Sequence, residues 1–195
     1  MEHLTIQLNS PVILLFALIS LLVLLLDRAT HGNSTRLFFC VYRSSLLSSL
    51  SYLRMFTHIL GHIDFNHYLS NMLLLLLVGP PLEEKYGSGC ILYAILATAF
   101  LVGLAHFIFQ PKTALLGASS IVFMMIVLSS FTEMSGKGIP LTLLVVCVLY
   151  PGRECLDALK SDQGKNRISR GAHILGGLCG LLLGLYLNGC LPPAI

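Results

Sequence analysis

Residues 11–26 read PVILLFALISLLVLLL, an uncharged run closed by Asp27-Arg28. A helix needs about 20 mostly apolar residues to cross hydrocarbon, with a range of about 17–25. The residues before the run include Glu2 and no Lys or Arg, and the Asp27–His31 stretch makes a poor cleavage site, so the run reads as a retained span and not a secretory leader. Similar runs recur at 65–82, 89–109, 113–130, 139–150 and 172–190. The fifth is short and closed by Pro151-Gly152, and Pro80-Pro81 is predicted to kink or stop the second. The stretch 27–64 mixes apolar pieces such as Leu37–Tyr42 with serines and arginines; it is too broken to span and reads as an interfacial connection of amphipathic pieces. These patterns predict an all-α polytopic membrane protein, six spans in one unit over residues 1–195, with no internal repeat.

Composition agrees. Hydrophobic residues make up 55% and charged residues 11% of the 195, with a mean hydropathy of +0.83. A soluble domain carries about 25% charged residues, so this chain could not cover a water-facing surface, and disorder is excluded for the same reason. The formal charge of +3 is too weak to indicate nucleic acid, and no basic block forms a tail. The cysteines, Cys40, Cys90, Cys147, Cys155, Cys179 and Cys190, contain no C-x-x-C pair and read as small apolar residues, not a disulfide framework or zinc site.

Ionisable groups inside spans are costly and mark function. Aspartate and glutamate avoid the span centres, leaving His67, His106 and His173. His67 and Asn71 stand at i and i+4 and share a helix face. Gly176, Gly180 and Gly184 follow His173 on one face, a smooth groove for a second helix, and Gly117-Ala118-Ser119-Ser120 at the head of the fourth run is a natural partner for it. Each feature alone is explained by packing. Alternating span directions, however, put His67, Asn71, Ser119 and His173 in one shallow layer on one side, with Ser119 roughly 9 Å inside its helix.

That layer holds a nucleophile, a base and donors. A serine hydroxyl needs a neighbouring base, and His173 is available if the glycines bring the sixth helix against the fourth. Asp64 belongs to the start of the second span, so a Ser-His dyad is expected instead of a triad. His67, Asn71 and the backbone N–H groups around Ser119, including that of Ala118, are candidate oxyanion donors.

These residues resemble the rhomboid family of intramembrane serine proteases. Gly117-Ala118-Ser119 is similar to its Gly-x-Ser nucleophile motif, His67–Asn71 to its His-x-x-x-Asn motif, and Ala172-His173-Ile174-Leu175-Gly176 with Gly180 to its Ala-His-x-x-Gly-x-x-x-Gly motif. Arg54–His58 and Glu83–Ser88 match as well, so that the likeness runs from about Ser51 to Asn188. The resemblance implies Ser119 as nucleophile, His173 as general base, His67, Asn71 and backbone as oxyanion hole, Gly176 and Gly180 packed on the fourth span, and a fifth span that gates substrate access. Four positions depart from the family pattern. Ser120 replaces a glycine, Phe123 holds the place of an aromatic that stacks on the histidine, Leu53-Arg54 replaces Trp-Arg, and Pro80-Pro81 fills a stretch that is usually proline-free.

The expected activity is cleavage of transmembrane protein substrates, without cofactor, metal or nucleic acid, by a multi-pass protein of a bacterial-type cell membrane. Three alternatives stand beside it: a catalytically inactive relative that binds or escorts membrane proteins, a small transporter or channel, and a metalloprotease using His58, His62 and His67, for which the chain lacks an H-E-x-x-H motif. Orientation reads two ways. The active-layer side carries ten of the twelve Lys and Arg residues and the other only Lys85 and Lys137, which puts the layer in the cytoplasm by the positive-inside rule. The resemblance to bacterial rhomboids implies the opposite.

Overall fold

The computed structural model describes residues 9–132, 141, 144, 145 and 165–189. Among these the chain is all-helical: α1 (Pro11–Ala29), α2 (Asn33–Phe38), α3 (Ser49–Thr57), a 3-10 turn (His58–Leu60), α4 (Phe65–Tyr86), α5 (Ser88–Phe109), α6 (Ser119–Ser129) and α7 (Lys165–Leu187). A single antiparallel bridge joins Val41 to Leu115 among the described residues. The expected span 139–150 lies outside the described residues, apart from helical positions 141, 144 and 145. By length and apolar composition, α1 and α5 are the described helices fit to cross a membrane, while α6 and the 171–187 part of α7 are shorter apolar helices.

Helix α1 starts at Pro11, whose missing N–H costs nothing at that position. Its next two amides are taken by one carboxylate: Val12 N–H donates to Glu83 Oε1 and Ile13 N–H to Oε2, each at 3.0 Å. The Ser88 hydroxyl adds a third bond, to Oε1 at 2.7 Å, so Glu83 is buried yet satisfied. Helices α1 and α4 run antiparallel and close: a Cβ at Gly79 would stand 2.7 Å from Ile13 Cδ1, and the Tyr68 hydroxyl donates to Ala17 O at 3.2 Å.

Two expectations need correcting. Of the kink or stop expected at Pro80-Pro81, the stop does not occur: α4 continues to Tyr86. A proline inside a helix costs about 3 kcal/mol; the Glu83 clamp just beyond the pair holds the last turn in place from outside the helix. The fourth run is also not helical from 113. Leu115 pairs with Val41 through two 2.9 Å backbone bonds, Gly117 N–H donates to His58 O at 2.9 Å, and Gly117 takes φ +117°. The helix therefore begins at Ser119 itself, not roughly 9 Å earlier.

Helices α6 and α7 run parallel. A Cβ at Gly176 would lie 2.2 Å from Ser120 O, one at Gly180 2.3 Å from Met124 O, and one at Gly184 2.3 Å from Phe131 Cδ2. Helix α4 shares their direction, with His67 beside Gly117 at one end and Lys85 Nζ donating to Phe131 O at 3.2 Å at the other. Ile91, Ala94, Ile121, Met124 and Leu128 fill the core between these helices and α5.

Candidate active site

Three parallel helices converge here: the first turns of α4 and α6 lie level with the third turn of α7, which begins at Lys165 and not at the expected 172, so that His173 stands eight residues inside it. Asp64 caps α4 by accepting from His67 N–H at 2.8 Å, which fixes the helix start and the face that His67 and Asn71 share. Ser119 is the first residue of α6, and His173 stands on α7 where the glycine contacts begin. His173 Nε2 lies 3.0 Å from Ser119 Oγ, and both residues are half-buried. The Phe123 ring stacks on the His173 ring at 4.2 Å between centroids and 8° between planes.

His67 and Asn71 converge on the turn before the serine. The place of a Cβ on Gly117 is 3.0 Å from His67 Nε2 and 4.0 Å from Asn71 Nδ2, so a side chain at 117 would fill the gap between them. Asn71 Nδ2 is buried without a hydrogen-bond partner. A buried, unpaired donor costs about 1–3 kcal/mol, so it is a group waiting for an acceptor. Ala118 is fully buried at the N-cap, and its carbonyl accepts from Ile121 and Val122 N–H. The N–H groups ahead of Ile121 have no acceptor within the helix, and its dipole favours negative charge there. The arrangement joins a hydroxyl, an imidazole and a set of donors around one point.

His58 and His62, in the connection between α1 and α4, are both buried. His58 Nδ1 pairs with Arg54 O at 3.2 Å and His62 Nδ1 with Leu60 O at 3.2 Å. Since a carbonyl only accepts, each ring carries its proton on Nδ1. Burial pushes both pKa values down to about 4, so both rings are neutral at pH 7. The backbone carbonyl of His58 holds Gly117. Arg54 is buried too: its Nε donates to Leu37 O at 2.7 Å and its guanidinium lies 4.4 Å from the Tyr42 ring centroid. His106 Nε2 pairs with Thr113 O at 3.1 Å, tying α5 to the segment leading into Gly117.

A family model described as the Rhomboid domain matches residues 49–189. The chain belongs to the rhomboid family. The match includes every motif that carried the resemblance. The chain is 32% identical over 112 residues to "Rhomboid protease GluP" of Bacillus subtilis (strain 168), covering 56% of this chain and 22% of that protein. It is 27% identical over 146 residues to "Rhomboid-related protein 2" of Mus musculus, covering 70% of this chain and 48% of that protein. This rhomboid thus spans from about a fifth to about half the length of the relatives it matches. Family membership makes it an integral membrane protein.

Proposed function

We propose that this rhomboid is an intramembrane serine endopeptidase that cleaves transmembrane protein substrates. The observation that carries the reading is the 3.0 Å approach of Ser119 Oγ to His173 Nε2 at the N-terminus of a helix. His173 takes the serine proton as Oγ bonds to the substrate carbonyl carbon. The oxyanion is met by His67, Asn71 and the backbone amides at Ala118 and Ser119; one such donor is worth about 2.7–4 kcal/mol in a serine hydrolase. His173 then protonates the leaving amine, and a water activated by the same ring hydrolyses the acyl-enzyme. Gly176 and Gly180 set the separation of α6 and α7, and Phe123 holds the plane of the imidazole.

The reading includes one six-span membrane domain in a bacterial-type cell membrane. Parallel α6 and α7 require the chain between them to return across the bundle, which supports a fifth crossing over 139–150, and the Bacillus relative supports the setting. The test is cleavage of a single-span substrate by purified protein, together with labelling by a fluorophosphonate. Wild type should cleave and label, and Ser119→Ala and His173→Ala should do neither; cleavage that persists in both variants would refute the assignment.

A further inference from the structure

Helices α5 and α7 cross where Val102, Ala172 and Leu175 pack together. Away from the catalytic layer a groove of about 490 Å³ opens between them, lined by Tyr93, Ala97, Thr98 and Leu101 of α5 and by Cys179 and Leu182 of α7, among others. Tyr186, near the end of α7, closes the same end as Tyr93. That end is the pole far from Ser119, because Asn188 Nδ2 donates to the hydroxyl of Tyr86 at the end of α4.

We propose that this groove holds an acyl chain of a glycerophospholipid from the leaflet opposite the catalytic layer, its ester carbonyls beside the Tyr93 and Tyr186 hydroxyls. The groove faces outward: Leu101 is 51% and Leu182 58% exposed, in a protein whose outer surface meets hydrocarbon. Its floor is small, Ala97 and Thr98, with Thr98 against the Cys179 thiol. Water has little to bond there. From Tyr93 to Leu101 the groove runs about 12 Å, and its leucine rim stands in the way of a second helix backbone, which needs small residues for close approach. A thin, flexible chain fits. Tyrosines favour the headgroup level, where a phenol donates to a polar acceptor while its ring stays in apolar surroundings.

The test is photolabelling of the full-length protein in liposomes with a phosphatidylcholine bearing a diazirine on one acyl chain, mapped by mass spectrometry. Label should concentrate on the 93–101 and 179–187 peptides, in severalfold excess over the exposed leucines of α1. Ala97→Phe should remove most of that label and leave α1 labelling unchanged. A Tyr93→Phe/Tyr186→Phe protein, which keeps the shape, should lose the preference for ester-linked over ether-linked lipid that wild type shows. Label spread over α1 and the groove in proportion to exposure, a wild type with no ester preference, or a cross-linked second copy in the groove would each overturn the proposal.

Discussion

Gly176 meets the carbonyl of Ser120 so closely that an added methyl would stand 2.2 Å from the oxygen. The obstacle is backbone, so it cannot swing aside as a side chain would. Gly176→Ala is expected to cost about 1–3 kcal/mol, the usual penalty for forcing atoms into a packed interior, and to separate His173 from Ser119. Thermal melting and substrate cleavage should both fall; a variant with wild-type melting and cleavage would refute the contact.

Asn71→Ala removes a donor without touching the dyad. A fall of about 10²–10³ in kcat is expected, with KM little changed, since the bond is made to the oxyanion and not to the ground state. Kinetics on a cleavable peptide check this, and a change confined to KM would argue for substrate binding instead.

Gly117→Ala faces both a positive φ of +117° and the His67 ring, 2.8 Å from the new methyl at Cε1. Activity should be lost more completely than stability, because the distortion falls on the turn that presents Ser119. Melting temperature beside turnover separates the two.

Glu83→Ala strips acceptors from Val12, Ile13 and Ser88. Hydrogen bonds to a charged group contribute about 1.5–3 kcal/mol each, and the loss is partly made up by relaxation, so a destabilisation of about 3 kcal/mol is expected. Glu83→Gln should recover part of it. Chemical denaturation in mixed micelles measures both.

Acid should weaken the fold through His58 and His62. Their folded-state pKa values of about 4 lie below the ordinary 6.5, so the unfolded chain binds more protons between those limits. The stability their neutral forms contribute is fully present above about pH 6.5 and is lost as pH falls towards about 4, up to about 3 kcal/mol for each histidine. Melting temperature should therefore drop as pH falls through that window, and the drop should shrink in His58→Asn; a flat wild-type profile would contradict the burial of these rings.

The features legible in the sequence are those written as spacing. The run at 11–26 and the long apolar stretch at 89–109 announce α1 and α5, and glycines four apart opposite Ser120 and Met124 announce the α6–α7 contact and with it the approach of His173 to Ser119. The features hidden from it depend on partners far along the chain. Pro80-Pro81 reads as a kink or a stop because a local rule cannot see Glu83 held against α1. The start of α6 depends on Gly117 being drawn to the carbonyl of His58, a backbone group that no side-chain pattern marks. The burial of His58 and His62 escapes a local reading for the same reason: their rings turn inward to backbone carbonyls of their own segment, while the polar residues around them suggest a solvated face.

The bond from Glu83 to Val12 and Ile13 links positions 71 and 70 residues apart. During synthesis the amides at the head of α1 therefore lack this acceptor until the ribosome has delivered the hairpin of α4 and α5. The first helix can enter the bilayer early, but its leading end is sealed only when that later hairpin docks, which makes the front half of the protein a single assembly step.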